Sequence, residues 1–451
     1  MMNRIPLALT IAGSDSGGGA GIQADLKTFA ALGVHGMSAI TAITAQNTVD
    51  VTAIQDIDTA VIEAQIRAVA DDIGVDAAKT GMLHTPEIIR VVADLIQEYG
   101  FTVVVDPVMI SKSGAALLKP ESKDTLIKKL LPIAKVVTPN SMEAEALSGV
   151  NVKTLEDAKR AAEIIAERGV EAVVVKGGHL FSEEKAIDLL YHKGDFHEFV
   201  AERHETKDTH GTGCSFASAI AAELAKGKGV IDAVDIAKKF VNTAIMYGLR
   251  IGKGSGPLNP MANLINKAEK FAVLDNVRKA IEIIESTPEI VKLFPEVQIN
   301  IGMGLPYATG PADFVAVPGR IVRMPYGVKA SSCPRYGASA HVARTVLAVK
   351  QYNNAIRAGM NILYTEEAIK ACKEIGLTVS FYDRREEPDE IKDVEGMTTK
   401  WGAEQAVKRI GKAPDAIYHF GDWGKEPMIV LLGRDAVEIA ERAAQIAKKI
   451  R

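Results

Sequence analysis

Apolar residues before Tyr247 occur as short continuous runs, which alternate with stretches where they recur every three or four positions. The continuous runs predict buried strands, and the helical spacing predicts amphipathic helices. Because strands and helices alternate, we predict an α/β fold whose mostly parallel sheet is covered by helices on both faces. The predicted strands are residues 7–12, 38–45, 77–80, 102–106, 135–138 and 172–178, and the predicted helices are 22–32, 59–73, 86–99 and 216–224.

The pattern changes after Tyr247, where turn-forming residues collect. Segment 252–260 is rich in glycine and proline and predicts the end of a domain. A chain of 451 residues is too long for one compact core. We therefore predict a first domain at 1–258, a linker at 259–269 and a second α/β domain at 270–451, with no internal repeat. The second domain is predicted to contain strands 297–303, 314–317, 321–324 and 428–432 and helices 269–285, 341–357, 366–375 and 436–451.

The composition narrows the classes of protein that the chain can belong to. Hydrophobic residues make up 47% and charged residues 24%, and the net charge of −4 gives no reason to expect binding to nucleic acid or to a membrane surface. Cys214, Cys333 and Cys372 cannot form a disulfide framework, and no CxxC pair indicates zinc. The start of the chain resembles a strand rather than a secretory signal, and no apolar run is long enough to span a bilayer. We therefore expect a cytosolic protein.

A glycine turn, Thr209-His-Gly-Thr-Gly-Cys-Ser215, precedes a helical pattern rich in small residues. The backbone N–H groups of Gly211, Thr212 and Gly213 and the dipole of the following helix form a pocket suited to an anion. A phosphoryl group in transfer is such an anion, since its charge must be stabilised as it moves. The turn could instead serve only to begin the helix, and the pattern by itself leaves both readings open.

Polar residues follow several predicted strands of the first domain, at the edge of the sheet where ligands bind in open parallel sheets. Asp106 ends one strand, Asn140 and Glu143 follow the next, and Lys176 ends another. Two carboxylates suit Mg²⁺ and a lysine suits phosphate oxygens. Taken singly, Asp106 could be a turn former, Glu143 a first-turn helix charge and Lys176 a solvated lysine. The histidines at 179 and 210 are expected to be structural or surface residues.

Seven segments of the first domain together resemble the hydroxymethylpyrimidine/phosphomethylpyrimidine kinase family of the ribokinase-like superfamily. The resemblance covers the whole domain in order and implies a ribokinase-like three-layer fold, with ATP as phosphate donor and Mg²⁺ as cofactor. The matching segments are 13–27, 42–47, 79–83, 106–108, 138–143, 176–179 and 209–214.

This resemblance also implies roles for individual residues. Gln46 has an amide that can pair with a ring nitrogen and its exocyclic amine. Many ribokinase relatives carry aspartate as base where this chain has Cys214. A helix N-terminus lowers the pKa of a thiol, so Cys214 is a candidate base for the substrate hydroxyl, although its backbone N–H alone could be what matters. The implied residues are Gly13, Asp25, Gln46, Met82 and Val108 for the pyrimidine, Lys238 for the substrate side, Asp106 and Glu143 for the metal, Asn140 and Lys176 for the nucleotide, and Lys176 and Cys214 for catalysis.

Basic residues collect around the predicted turns of the second domain. Arg320 lies between two strands, Ser339 and His341 lie near the start of a long helix, and segments 383–388 and 421–427 flank other strands. Cations beside a helix N-terminus indicate a diphosphate site. Each arginine could instead form a surface ion pair, and His341 could be structural.

Several of these segments resemble ThiN-type thiamine phosphate synthase domains. The resemblance implies an α/β fold related to class II aldolases, with Arg320 and His341 as catalytic residues and Asn300, Ser339, Asn361, Arg384 and Lys425 as further site residues. His419 departs from the family pattern, in which an acidic residue is expected, and this weakens any metal role there. The matching residues are Asn300, 318–322, 337–344, Arg357 with Asn361, Arg384 with 387–388, and 424–427.

The two resemblances imply a fused kinase and synthase that acts on small molecules. The first domain would phosphorylate hydroxymethylpyrimidine and its monophosphate, and the second would join the diphosphate to hydroxyethylthiazole phosphate. One alternative makes the second domain a thiamine-phosphate sensor, but the presence of Arg320 and His341 and the absence of a helix-turn-helix favour a synthase. A pyridoxal-type kinase is a further alternative, which Gln46 and the second domain disfavour. We expect a homo-oligomer, with a dimer favoured.

Overall fold

The computed structural model describes residues 4–110, 117–178, 182, 184–392, 397–421 and 425–450. The chain divides into two compact units, Met1–Leu264 and Ile265–Arg451. Within the described residues, no helix has both the length and the apolar character needed to cross a membrane.

The first unit alternates strands and helices through most of its length. Its strands are β1 (Leu7–Asp15), β2 (His35–Gln46), β3 (Val51–Asp56), β4 (Ala77–Thr80), β5 (Val103–Val105), β6 (Val136–Val137), β7 (Ala172–Lys176), β8 (Lys185–His192) and β9 (Asp195–Glu202). Its helices are α1 (Gly21–Ala31), α2 (Thr59–Asp72), α3 (Pro86–Tyr99), α4 (Ser122–Thr125), α5 (Ser141–Ser148), α6 (Leu155–Ala166), α7 (Thr212–Ala225) and α8 (Val230–Met246), with a π-helical turn at Leu126–Leu130 and a 3-10 turn at Leu131–Ile133.

These strands form one nine-stranded sheet in the order β3-β2-β1-β4-β5-β6-β7-β8-β9. Six neighbouring strands of this sheet are parallel to one another, namely β2, β1, β4, β5, β6 and β7. At one edge β3 pairs antiparallel with β2, and at the other edge β8 and β9 continue the sheet in antiparallel pairs. One apolar cluster joins α2, α3, α5 and α6 to the sheet, and a second joins α1, α7 and α8 to it. The α/β class and the covering of both faces are thus confirmed.

Short apolar strands place several polar residues at the carboxyl ends of the central parallel strands of this sheet. All three valines of β5 have no exposed surface, and burying each side chain stabilises the fold by roughly 1.5–3 kcal/mol. Asp106 follows directly, with its backbone N–H donating to the carbonyl of Thr80. Asn140 then begins α5 by a capping box with Glu143. The apolar cores of β5 and β6 therefore set where these polar side chains lie.

The second unit has its own sheet and core. Its strands are β10 (Ile301–Gly304), β11 (Phe314–Ala316), β12 (Ile321–Met324), β13 (Gly327–Ala330), β14 (Arg335–Tyr336), β15 (Ala358–Leu363), β16 (Val379–Phe381), β17 (Ala416–His419) and β18 (Met428–Gly433). Its helices are α9 (Ala262–Glu285), α10 (Ala340–Lys350), α11 (Glu366–Glu374), α12 (Asp389–Lys392), α13 (Met397–Ile410) and α14 (Ala436–Lys449), with 3-10 turns at Pro288–Leu293, Pro311–Asp313 and Arg384–Glu386.

Seven strands of this unit form a sheet in the order β14-β11-β10-β15-β18-β17-β16, and β12 and β13 form a separate hairpin. Only the pair β16–β17 is parallel. One apolar cluster unites the helices with the sheet. The relation to class II aldolases stays a prediction.

Several predicted bounds in and before the second unit differ from the observed ones, and the strand predicted at 297–303 begins only at Ile301. The helix predicted at 341–357 ends at Lys350, and Ala358–Leu363 is a central strand that the sequence analysis missed. The apolar spacing continues past Lys350, but Asn353 and Asn354 form a turn there. The predicted linker 259–269 is partly helical, because α9 already begins at Ala262.

Candidate active sites

A cavity of about 500 Å³ lies at the carboxyl ends of β1, β4, β5 and β7 in the sheet of the first unit. Both glycine-containing segments of the unit, residues 13–21 and 209–214, contribute to its wall. Most of the residues proposed from the sequence for the kinase site line this cavity, namely Gly13, Gln46, Met82, Asp106, Val108, Asn140, Glu143, Lys176, Gly211, Thr212, Gly213 and Cys214.

The start of α7 has the geometry of an anion site. Gly211 precedes the helix with a φ of +81°, in the left-handed region that favours glycine. A Cβ atom at Gly211 would also lie 1.8 Å from the carbonyl oxygen of Gly19, so the two glycine segments could not approach each other with any other residue there. The first turn of α7 thus lines the cavity, and Gly211 and Gly213 place no side chain there, while the N–H of Thr212 donates to the carbonyl of Thr209 at 3.3 Å.

A buried ion pair lies beside that helix start. Lys176 Nζ donates to Asp106 Oδ1 at 3.1 Å, and Thr138 Oγ1 donates to the same oxygen at 3.3 Å. Asp106 is only 3% exposed. A Cβ atom at Gly213 would lie 3.2 Å from Lys176 Nζ, so the ammonium group is next to the helix start. A positive charge and the helix N–H groups thus face the same point of the cavity.

Glu143 faces the same charges from α5. Its carboxylate accepts the N–H of Asn140 at 2.8 Å, and Asn140 Oδ1 accepts the N–H of Glu143 at 2.9 Å. Burial raises the pKa of Glu143 to about 7, with Asp106 adding to the rise and Lys176 opposing it. In the described residues, no group of three or more histidine, cysteine, aspartate or glutamate side chains is arranged to hold a metal ion. Any cation here would rest on two carboxylates together with substrate phosphates.

Asp25, proposed for the pyrimidine, does not line the cavity and is fully buried. It accepts hydrogen bonds from Thr10 Oγ1 at 2.6 Å, Ser218 Oγ at 2.7 Å and Lys79 Nζ at 2.9 Å. Lys79 is the residue of this pair that reaches the cavity. Burial is the largest single influence and opposes its charge, but Asp25, Cys214 and Asp106 together raise the pKa of Lys79 above its ordinary value. The sequence analysis quoted Lys79 only as part of a motif.

Lys238 also lies away from the substrate side of the cavity, where the family resemblance had placed it. Its Nζ donates to Asp188 Oδ2 at 2.7 Å, and the other carboxylate oxygen of Asp188 accepts the N–H of Gly177 at 3.2 Å. Lys238 therefore holds the backbone that follows Lys176 and does not line the cavity. His179, at the end of this segment, lies outside the described residues.

The expected lowering of the pKa of Cys214 is wrong. Burial raises the pKa of this thiol to about 11, although the positive charge of Lys79 opposes the rise. Desolvation of a thiolate outweighs the field of the helix start at this position. The thiol is therefore neutral near pH 7. This favours a role for the backbone N–H of Cys214 over a role for its thiol as a base.

Gln46 and His210 form a polar part of the cavity wall. Gln46 Oε1 lies 3.1 Å from Thr44 Oγ1, and Gln46 Nε2 lies 3.2 Å from His210 Nε2. His210 Nε2 also lies 2.9 Å from Asp15 Oδ2. Asp15 accepts the N–H groups of Gly17, Gly19 and Ala20 as well. His210, expected to be a structural or surface residue, thus connects the two glycine segments and lines the cavity.

In the second unit, Arg320 lies in a tight turn before β12. Its φ of +73° is in the left-handed region, which costs a non-glycine residue roughly 1–2 kcal/mol. The guanidinium donates to the carbonyl of Val297. Strain that persists at a charged residue is a feature of functional positions.

Asn300 and Asn361 hold the backbone around this turn. The Asn300 side chain bonds Val317 twice, donating to its carbonyl at 2.9 Å and accepting its N–H at 3.1 Å. Asn361 accepts the N–H of Asn300 at 2.7 Å and donates to the carbonyl of Gln298 at 2.9 Å. Both residues are buried, so they position the segment rather than reach out from it.

His341 lies at the start of α10 and is the centre of a basic cluster. Desolvation lowers its pKa, and the positive charges of four neighbouring residues lower it further; these are Arg320, Arg384, Arg344 and Lys425. Three of the four were proposed from the sequence, and Arg344 was part of a matching segment. Ser339 is the residue before α10, and its side chain does not cap the helix.

A group in the turn after β16 and at the end of β17 adjoins this cluster. Arg384 Nη2 lies 3.9 Å from Glu387 Oε2, and Arg384 Nε and Glu387 Oε1 are buried without a hydrogen-bond partner among the described residues. Burial, Arg384 and His341 lower the pKa of His419 to about 4. Buried polar atoms without partners are costly, so a ligand that pairs with them would relieve that cost.

The sequence analysis missed Lys79, Asp15 and His210 in the first unit and Glu387 and His419 in the second as site residues. Lys79 and Asp15 lay within or next to matching segments, and a charged residue at a strand end was a usable signal for both. His419 was noticed only as a departure from a family pattern. Lys425 lies in the basic cluster, whereas Gly424 of the same segment is outside the described residues.

Comparisons with known proteins match each unit to a family. The phosphomethylpyrimidine kinase family matches residues 15–259, and the thiamine-phosphate synthase ThiN family matches residues 276–445. The hydroxymethylpyrimidine/phosphomethylpyrimidine kinase of Bacillus subtilis is 50% identical over 256 residues, which cover 56% of this chain and 94% of that protein. The thiamine biosynthesis bifunctional protein ThiED of Geobacter sulfurreducens is 47% identical over 252 residues, covering 56% of this chain and 51% of that protein.

A solved structure, a Bacillus subtilis pyridoxal kinase in complex with ADP, is 44% identical with a TM-score of 0.54 and covers 57% of this chain and 98% of that one. The first family model spans more than half of the chain. The chain therefore belongs to the phosphomethylpyrimidine kinase family, and its second unit is a ThiN domain, which makes it a bifunctional kinase and thiamine-phosphate synthase of thiamine biosynthesis.

Proposed function

We propose that the first unit transfers the terminal phosphoryl group of ATP to hydroxymethylpyrimidine and then to the resulting monophosphate. One observation carries this proposal: the N-terminus of α7, the ammonium group of Lys176 and the amide of Gln46 all border one cavity of about 500 Å³. The first two suit a phosphoryl group, and the amide suits an aminopyrimidine ring. A cavity of this size is typical of a small-molecule site.

The residues of this cavity act mainly by position and charge. The transition state of phosphoryl transfer is loose, so it needs stabilisation of charge more than covalent help from the protein. The N–H groups of Gly211, Thr212 and Gly213 and the charge of Lys176 provide that stabilisation. Because the thiol of Cys214 is neutral near pH 7, we assign Cys214 to the wall of the anion pocket rather than to base catalysis.

Asp106 and Glu143 fit a magnesium ion. Both carboxylates are buried at the cavity, and their mutual repulsion contributes to the raised pKa of Glu143, which a divalent cation would relieve. When bound, the ion would neutralise charge on the phosphate oxygens of the nucleotide. The side chain of Asn140 keeps Glu143 in place through the capping box.

We propose that the second unit joins the pyrimidine diphosphate to hydroxyethylthiazole phosphate and releases diphosphate. The amino group of the pyrimidine ring can stabilise a developing cation at its methylene carbon, so the main task of the protein is to hold the departing diphosphate. The cluster of Arg320, Arg344, Arg384 and Lys425 around His341 has the charge for this task. With its pKa lowered, His341 is neutral near pH 7 and can offer one donor and one acceptor to the reactants.

Pyridoxal is a second candidate substrate of the first unit. The solved structure that shares 44% identity with this chain is that of a pyridoxal kinase. Against it, the relative from Bacillus subtilis that shares 50% identity is named a hydroxymethylpyrimidine/phosphomethylpyrimidine kinase. An aldehyde-bearing pyridine also lacks the amine beside a ring nitrogen that Gln46 would pair with.

One assay tests these proposals together. The purified full-length protein is incubated with ATP, Mg²⁺, hydroxymethylpyrimidine and hydroxyethylthiazole phosphate, and thiamine phosphate is measured. We expect its formation to require all four additions. Pyridoxal replaces hydroxymethylpyrimidine in a parallel reaction, and faster phosphorylation of pyridoxal would favour the second candidate. Kinase activity without any thiamine phosphate, together with kinase rates that respond to added thiamine phosphate, would favour a sensor.

Homo-oligomerisation and a cytosolic location stay predictions, as do the roles given to individual residues.

A further inference from the structure

The hydrogen bonds around Gln46 determine which end of its side-chain amide is the oxygen and which end is the nitrogen. The oxygen and nitrogen of an amide have the same shape, so only their partners distinguish the two orientations. In the structure Gln46 Oε1 lies 3.1 Å from Thr44 Oγ1, and Gln46 Nε2 lies 3.2 Å from His210 Nε2. Each end can be checked by counting the protons that its neighbour has available.

The hydroxyl of Thr44 has one proton, and that proton already has an acceptor. Thr44 Oγ1 donates to the carbonyl oxygen of Ser14 at 2.9 Å, and a carbonyl oxygen can only accept. Because Ser14 accepts that proton at the shorter of the two distances, Thr44 Oγ1 is placed to accept from Gln46. The amide end that faces Thr44 is then the NH₂ group.

His210 requires the same orientation from the other end. Its Nε2 lies 2.9 Å from Asp15 Oδ2, and Asp15 also accepts three backbone N–H groups of its glycine segment. A carboxylate can only accept, so His210 Nε2 carries a proton. A protonated ring nitrogen next to an amide NH₂ would bring two donors together, whereas an amide oxygen can share the Nε2 proton with Asp15 in a bifurcated hydrogen bond.

We propose that Asp15 and His210 hold the amide of Gln46 with its oxygen towards His210 and its nitrogen towards Thr44, so that His210 is a positioning residue for substrate recognition. The inference rests on the proposed function, because the ring that Gln46 reads is the aminopyrimidine. His210 is well placed for this role, because its backbone is also paired with residues 256–258 through two hydrogen bonds.

A held amide distinguishes two ring edges that have the same shape. The aminopyrimidine presents an exocyclic donor beside a ring-nitrogen acceptor. The 4-oxo analogue, in which an oxo group replaces the amine, presents an acceptor beside a ring N–H donor. An amide that is free to rotate by 180° can satisfy either edge, but a held amide satisfies only one. By holding the amide, His210 makes Gln46 pair with the edge of the aminopyrimidine and not with the edge of the 4-oxo analogue.

The test compares two substitutions in the full-length protein. His210→Gln keeps a donor at about the reach of Nε2, whereas His210→Asn places its donor nearer to Nδ1 and leaves Gln46 without a partner. The kcat/KM for hydroxymethylpyrimidine and for its 4-oxo analogue is measured for each variant, along with the KM for ATP. His35→Asn, a change at an exposed histidine of β2, serves as the control.

We expect His210→Asn to lower the ratio of the two kcat/KM values by roughly tenfold or more, mainly through the KM of the amino substrate, which is the scale for leaving a buried polar group unpaired. His210→Gln should retain most of the ratio, and the KM for ATP should change little in both variants. An equal loss on both pyrimidines, or an unchanged ratio in His210→Asn, would overturn the inference. A wild-type protein that does not phosphorylate hydroxymethylpyrimidine would contradict the proposed function instead.

Discussion

The two sites differ in how their charges are arranged. In the first unit, buried cations are paired with carboxylates, as Lys176 is with Asp106 and Lys79 with Asp25. In the second unit, four cations surround His341, and the carboxylate of Glu387 lies only 3.9 Å from one of them. A site that transfers a phosphoryl group must hold a metal ion as well as phosphates, so it needs both signs of charge. A site that releases diphosphate needs an excess of positive charge.

The largest effect is expected for Lys176 in the first unit. Lys176→Met removes the cation beside the start of α7, and we expect kinase kcat to fall by roughly 10²–10³, the scale for one lost electrostatic contact in a transition state. Lys238→Met is the matched control, because Lys238 forms a similarly buried pair with Asp188 but does not line the cavity. Its kcat should stay within a few-fold of wild type once the folded fraction is known. Equal losses of kcat in both variants would mean that the effect comes from breaking an ion pair and not from removing a cation beside the start of α7.

Arg320 is expected to matter nearly as much in the second unit. Arg320→Ala and Arg320→Gly both remove the guanidinium, so both should lower thiamine phosphate synthesis roughly 10²-fold while kinase rates stay unchanged. The two variants should differ in stability, because glycine adopts the φ of +73° without strain. We expect Arg320→Gly to be about 1 kcal/mol more stable than Arg320→Ala in chemical denaturation. Synthesis at wild-type rates in either variant would remove Arg320 from the site.

A smaller effect is expected from the titration of Glu143. Its pKa of about 7 in the folded protein, against 4.5 ordinarily, means that the folded carboxyl keeps its proton up to about pH 7. Stability without metal should therefore fall as the pH rises from about 4.5 to 7. Because Mg²⁺ competes with that proton, the Mg²⁺ concentration for half-maximal kinase rate should fall about tenfold between about pH 6 and pH 8. The same titration of Glu143→Gln should be flat, and a pH dependence that survives the substitution would assign it to another group.

The smallest effect is expected for Cys214. The thiol has a pKa of about 11 and is neutral near pH 7, so Cys214→Ala should lower kinase kcat by about tenfold or less. Loss of a true general base costs on the order of 10²–10⁴ in rate. A loss of that size, with ATP binding unchanged, would restore Cys214 as the base.

Much of the first unit could be predicted from the sequence, because its motifs are contiguous and follow apolar strands. The segment 209–214 carries Gly211, Thr212 and Gly213 together, and the β5 valines predict where Asp106 lies. Asp25 and Lys238 lie outside the cavity lining, because they pair with residues that are distant in the chain. Lys79 lies 54 residues from Asp25, and Lys238 lies 50 residues from Asp188. Charge pairing over such separations depends on the fold and leaves no local pattern.

The second unit was harder to predict for the same reason. Its basic cluster draws Arg320, His341, Arg384 and Lys425 from four separate segments, and only a family resemblance connected them before the structure did. The strand Ala358–Leu363 was missed and the helix before it was predicted to continue to residue 357, because apolar spacing alone does not separate a buried strand from a buried helix. Asn300 and Asn361 proved to be backbone supports rather than exposed groups.

The most direct test of two independent sites mixes two single-site variants of the full-length chain. Lys176→Met should make thiamine phosphate from the pyrimidine diphosphate but not from hydroxymethylpyrimidine and ATP. Arg320→Ala should make the diphosphate from hydroxymethylpyrimidine but little thiamine phosphate. A mixture of the two variants, given hydroxymethylpyrimidine, ATP, Mg²⁺ and hydroxyethylthiazole phosphate, should recover thiamine phosphate synthesis. The account would be contradicted if Lys176→Met, while still folded, lost synthesis from the diphosphate as well.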